Sequence, residues 1–95
     1  MHGLKLTYGI FKEAWTAPNH TDGVCFRISV VPAGGPIRKL HERCLTPAER
    51  NDDRNEQQFT TRIDVSGPAR LVLETDCGKS CSWDWAYWKD IDVIQ

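Results

Sequence analysis

Four aromatic side chains fall within six positions near the C-terminus, Trp83, Trp85, Tyr87 and Trp88, with Asp84 among them. A flat ring matches the apolar C–H face of a pyranose, and a carboxylate beside an arginine can hydrogen-bond its hydroxyls. Arg54, in the polar cluster Asp52-Asp53-Arg54-Asn55, is the candidate arginine. The ligand-binding set expected from the residues is therefore Arg54, Asp84, Trp85, Tyr87 and Trp88. In an extended segment Trp83, Trp85 and Tyr87 share one face, and Asp84, Ala86 and Trp88 the other, so at least one aromatic face is expected to be buried. The competing reading is that the rings simply fill a core that has only three Phe and one Met. Arg54 could equally pair with Asp84 and lock the aromatic segment onto a sheet.

The Asp52–Asn55 cluster reads as a solvated turn whose aspartates cap backbone amides. A structural calcium site is the alternative, but it needs about six to eight oxygen ligands and the spacing is not that of an EF-hand loop. The cysteines Cys25, Cys44, Cys77 and Cys81 allow three pairings, of which 25 with 44 and 77 with 81 is favoured in an oxidising location. Zinc is disfavoured, because Cys77 and Cys81 form one knuckle and no second one exists. No nucleophile elbow, zinc-protease helix or phosphate-binding glycine loop is present, so no catalytic role is expected. A carboxylate pair such as Glu74 and Asp84 could hydrolyse a glycoside only at a fixed separation, which the sequence does not impose.

Period-two alternation must position these residues. Leu4–Tyr8, Val24–Val31, Gln58–Val65, Ala69–Thr75 and Lys89–Ile94 all read as strands, separated by Gly, Pro, Asn and Asp clusters. Val24, Phe26, Ile28 and Val30 face a core, as do Phe59, Thr61, Ile63 and Val65. Ile37–Cys44 alternates less cleanly and is expected at a sheet edge. Thr46-Pro47-Ala48-Glu49-Arg50 reads as one capped helical turn, with proline at its first position. About six strands with frequent turns predict one all-β domain over residues 1–95, an antiparallel β-sandwich or barrel.

The whole chain bears a formal charge of −1 over 95 residues, which removes the electrostatic mark of a nucleic-acid binder. Residues 1–50 carry seven basic and four acidic side chains, and residues 51–95 five and nine, as two solvated faces would. The first residues hold neither a basic stretch leading into a long apolar run nor a span, so neither a secretory leader nor membrane insertion is expected. The compartment stays open: cell surface or periplasm if the chain belongs to a larger secreted protein.

Thr21-Asp22-Gly23-Val24, Asp53-Arg54, Arg62-Ile63-Asp64-Val65 and Asp84-Trp85-Ala86-Tyr87-Trp88 occur in that order. Together they resemble the carbohydrate-binding modules of the galactose-binding-like superfamily, the NPCBM group in particular. The resemblance spans roughly residues 4–94. It implies a jelly roll of about eight strands and a non-catalytic accessory domain of a bacterial glycan-related protein, with an aspartate-aromatic segment near the last strand. The chain is shorter than such modules usually are. The alternative is a structural or protein-interaction β-sandwich that forms a homodimer and takes no sugar.

Overall fold

Apolar side chains at alternate positions fold this chain into two facing antiparallel sheets, as the alternation predicts. The structure is a computed structural model that describes residues 2–16, 23–47, 49–77 and 86–94. Six strands are described: β1 (Gly3–Ile10), β2 (Val24–Pro32), β3 (Arg38–Leu45), β4 (Gln57–Arg62), β5 (Ala69–Cys77) and β6 (Ala86–Ile94). A single helical turn, α1 (Glu13–Thr16), follows β1, and a 3-10 turn (Asn51–Arg54) precedes β4. The first sheet has the order β4-β1-β6 and the second β3-β2-β5, so β1 and β2 are the central strands.

The two central strands face one another. Leu4, Leu6, Tyr8 and Ile10 of β1 and Val24, Phe26, Ile28 and Val30 of β2 are all buried, and the Tyr8 and Phe26 rings meet with centroids 4.7 Å apart. Each such aliphatic or aromatic side chain is worth about 1.5–3 kcal/mol of burial, which makes these eight positions the main source of stability. Leu45, Ile63 and Val65 complete the core.

β3 lies at a sheet edge, as expected, and its mixed parity has a physical cause. Register shifts between Ile28 and Ser29, which pair with His41 and Lys39, so Leu40 is an extra residue and packs on the core. Beyond this bulge the core-facing positions of β3 are His41, Arg43 and Leu45, opposite Ile28, Phe26 and Val24. Two polar side chains can sit there because each finds a partner inside: Tyr8 Oη lies 2.9 Å from His41 Nε2, and Arg43 Nη1 donates to Gln57 Oε1 at 2.9 Å.

The outer face of the second sheet is charged. Arg27 pairs with Glu42 and Asp76 on the flanking strands, and Lys39 reaches the same Glu42. Cys25 and Cys44 are direct cross-strand partners on this face and form a disulfide, the first of the two expected pairings. The pairing of Cys77 with Cys81 lies outside the described side chains.

β6 departs from the alternation pattern in two ways. β6 starts at Ala86, taking in Tyr87 and Trp88 rather than beginning at Lys89, because both find seats against β1. β6 also carries a bulge opposite Leu6, where Asp90 adopts φ 53°, a left-handed conformation that a short polar side chain tolerates.

Candidate functional site

Ile10, Phe11 and Lys12 leave the end of β1 beside the first residues of β6, and the 3-10 turn brings Arg54 to the same place. With Tyr87, Trp88 and Lys89 these residues line an open cleft of about 510 Å³. The structure thus brings together Arg54, Tyr87 and Trp88 of the expected set. Asp84 and Trp85 lie outside the described residues.

Strand pairing assigns the two aromatic residues of β6 to opposite faces. Trp88 pairs with Tyr8 and points inward, its ring 5.6 Å from Tyr8 and 5.4 Å from Phe26, edge-on to the latter. Tyr87 pairs with Gly9 on the outer face, and its ring meets that of Phe11 at 4.8 Å. Phe11 is half exposed. Burial raises the Tyr87 pKa, and the nearby Glu56 carboxylate raises it further. Lys89 Nζ bonds Glu56 Oε2 at 2.6 Å, and that hydrogen bond raises the lysine's own pKa.

Arg54 is held by two contacts. Its Nε donates to the Pro47 carbonyl at 2.8 Å, and its guanidinium carbon lies 4.6 Å from the centroid of the Trp15 ring in α1. This is a cation–π contact on a half-buried indole. Among the described residues the buried Trp15 Nε1 has no hydrogen-bond partner.

Asp53, expected in a solvated turn, is instead buried. The reason lies in its partners: Oδ2 accepts from the Thr46 amide at 2.8 Å and from the Thr46 hydroxyl at 3.3 Å, and Oδ1 accepts from Arg43 Nη2 at 3.2 Å. Burial alone would raise its pKa, but the Thr46 and Arg43 hydrogen bonds outweigh it and hold the carboxyl below its ordinary value. The backbone-capping role expected of this cluster is thus met at Thr46, while its exposure is not. Both carboxylate oxygens already have donors and a guanidinium stands beside them, a poor setting for a calcium ligand. Among the described residues no three His, Cys, Asp or Glu side chains group in a way that could hold a metal ion. The Thr46–Arg50 turn closes through the Glu49 and Arg50 amides on the Thr46 carbonyl.

The sequence reading missed Phe11, Lys12, Lys89 and Trp15. Phe11 carried a signal: it has the outward parity of Lys5, Thr7 and Gly9, opposite to Leu6, Tyr8 and Ile10, so an exposed ring beside a glycine could have been inferred. Lys12 and Lys89 carried none, since only strand pairing brings residues 12 and 89 together. A scan against protein-family models found no match, and searches of the curated proteins and of the solved structures found none.

Proposed function

We propose that this chain is a non-catalytic carbohydrate-binding module of the galactose-binding-like, jelly-roll type, whose sugar site is the cleft at the start of β6. The observation that carries this reading is the Phe11–Tyr87 pair, two touching outward-facing rings on the cleft wall, with the anchored Arg54 lining the same cleft. Rings of this kind seat the C–H face of a pyranose, and an arginine donates to its hydroxyls. The cleft volume is within the range of roughly 300–1,000 Å³ that small-molecule sites occupy. The order of the short motifs, ending in Asp84-Trp85-Ala86-Tyr87-Trp88, supports the same family. Asp84 and Trp85 belong to the proposed ligand set through that resemblance. Single sugar sites bind weakly, so a larger host protein or an oligomer would supply avidity.

A titration with a panel of mono- and oligosaccharides tests this, read by tryptophan fluorescence, since Trp88 lines the cleft and Trp15 backs Arg54. Saturable quenching or enhancement by at least one sugar, abolished in Tyr87→Ala, is expected. A flat response across the panel overturns the reading.

One observation favours the alternative, an interaction module that pairs with a second copy. Ile91 and Ile94, 47% and 49% exposed, lie on the edge strand β6. Sedimentation of the chain with and without Ile91→Lys separates the two.

A further inference from the structure

Lys12, Arg54 and Lys89 line the cleft, and among its described lining residues there is no carboxylate. The three cations are not equivalent. Lys89 already pairs with Glu56. Arg54 uses only Nε, on the Pro47 carbonyl, and rests against Trp15, so its terminal Nη1 and Nη2 edge has no acceptor among the described residues. Lys12, an exposed residue, has no side-chain acceptor among them either. A guanidinium fixed in this way loses little freedom when it binds, and its free edge matches a planar carboxylate through two parallel hydrogen bonds.

We propose that the cleft selects an acidic sugar: a uronic-acid unit whose ring lies on Phe11 and Tyr87 and whose carboxylate is gripped by the Nη edge of Arg54, with Lys12 adding long-range attraction. This rests on the carbohydrate reading above and narrows it to a substrate class. The uncharged parent sugar keeps the stacking contact and loses the bidentate pair, so charge on the sugar becomes the discriminating feature.

The test is a calorimetric titration of the whole chain with galacturonate and mannuronate trimers and with their methyl esters, which keep the rings and lose the charge. For at least one trimer, the acid is expected to bind tenfold or more tightly than its ester, with the advantage shrinking as salt rises from 50 to 500 mM. Arg54→Gln is expected to remove the preference, bringing acid and ester affinities to within about twofold of each other whatever the loss common to both. Arg54→Lys, which keeps the charge without the fork, should retain only a small part of it. Far-ultraviolet circular dichroism and melting of both variants establish that they fold. Equal binding of acid and ester, or a preference unchanged in both Arg54 variants, overturns the acidic-sugar proposal and leaves the sugar site standing. Failure of these trimers together with every neutral sugar in the wider panel overturns the sugar site itself, and this proposal with it.

Discussion

Tyr87 lies across Gly9 on the outer face of the first sheet, its Oη only 2.7 Å from where a Cβ on residue 9 would stand. A side chain at position 9 would therefore drive the Tyr87 ring off the strand. The displaced atoms are the tip of a half-buried side chain, not backbone, so the fold can accommodate the change. Gly9→Ala is expected to alter stability by less than about 1 kcal/mol while shifting the Tyr87 ring resonances and weakening the proposed sugar binding severalfold. Proton NMR of the aromatic region with a parallel titration measures both. Unmoved Tyr87 signals would show that the glycine does not set the ring position.

Trp88 gives the contrasting case. Its ring touches Tyr8 and Phe26 inside the sandwich, so Trp88→Ala removes core contacts as well as part of the cleft. A loss of about 2–4 kcal/mol is expected, at the lower end for a half-buried aromatic. Tyr87→Ala, on the outer face, should cost less than half as much. Denaturant melts of the two variants, compared for midpoint and slope, separate the stability role of one ring from the surface role of the other.

The sandwich was legible because its two central strands alternate cleanly: Leu4, Leu6, Tyr8 and Val24, Phe26, Ile28, Val30 are apolar at every second position. The edge strand was half legible, since a one-residue bulge at Leu40 inverts the parity and hides which face is inner. At the site, composition pointed to Arg54, Tyr87 and Trp88, but not to the opposite faces of the last two, which follow from their pairing with Gly9 and Tyr8. Burial of Asp53 was not legible, because its donors, Arg43 and the Thr46 amide, are brought to it by β3 and the turn after it.

Asp53 joins the 3-10 turn that carries Arg54 to the end of β3. Asp53→Ala leaves the Thr46 amide and the Arg43 guanidinium short of an acceptor, though Arg43 is partly exposed and recovers some hydration. A loss of about 2–3 kcal/mol is expected, or roughly 10–20 °C in melting temperature for a domain of this size. Its carboxyl is held below its ordinary value of 3.8 in the folded state. The stability it contributes is therefore present above that value and lost as pH falls through the lower, folded one. Asp53→Asn should flatten the acid limb of a melting curve taken from pH 5 to pH 2.

His41 titrates in a different window and with the opposite chemistry. Burial, assisted by the Arg43 charge, lowers its pKa from the ordinary 6.5, while Tyr8 and Phe59 contact its ring. The unfolded chain thus binds the proton more readily than the folded one, and stability falls as pH drops below about 6.5 toward the folded value. Melting temperatures between pH 7.5 and 5 should decline in the wild-type chain and decline less in His41→Gln. Parallel slopes for the two proteins would assign the pH dependence elsewhere.

The Cys25–Cys44 disulfide joins direct partners on adjacent strands and closes a stretch of 19 residues in sequence separation. Its main effect is expected on the unfolded chain, where a loop of that size corresponds to about 3 kcal/mol of lost entropy. In the folded state β2 and β3 remain paired through register that does not depend on the bond, and the charged triad of Arg27, Glu42 and Asp76 spans the same face. The double variant Cys25→Ala/Cys44→Ala should therefore fold to the same sandwich with a melting temperature lower by about 10–20 °C. Binding at the proposed sugar cleft should be unchanged, because the disulfide is on the outer face of the second sheet and the cleft is built on the first. Loss of sugar binding in a variant that still gives the wild-type circular dichroism spectrum would mean that the two sheets are coupled through more than their shared core.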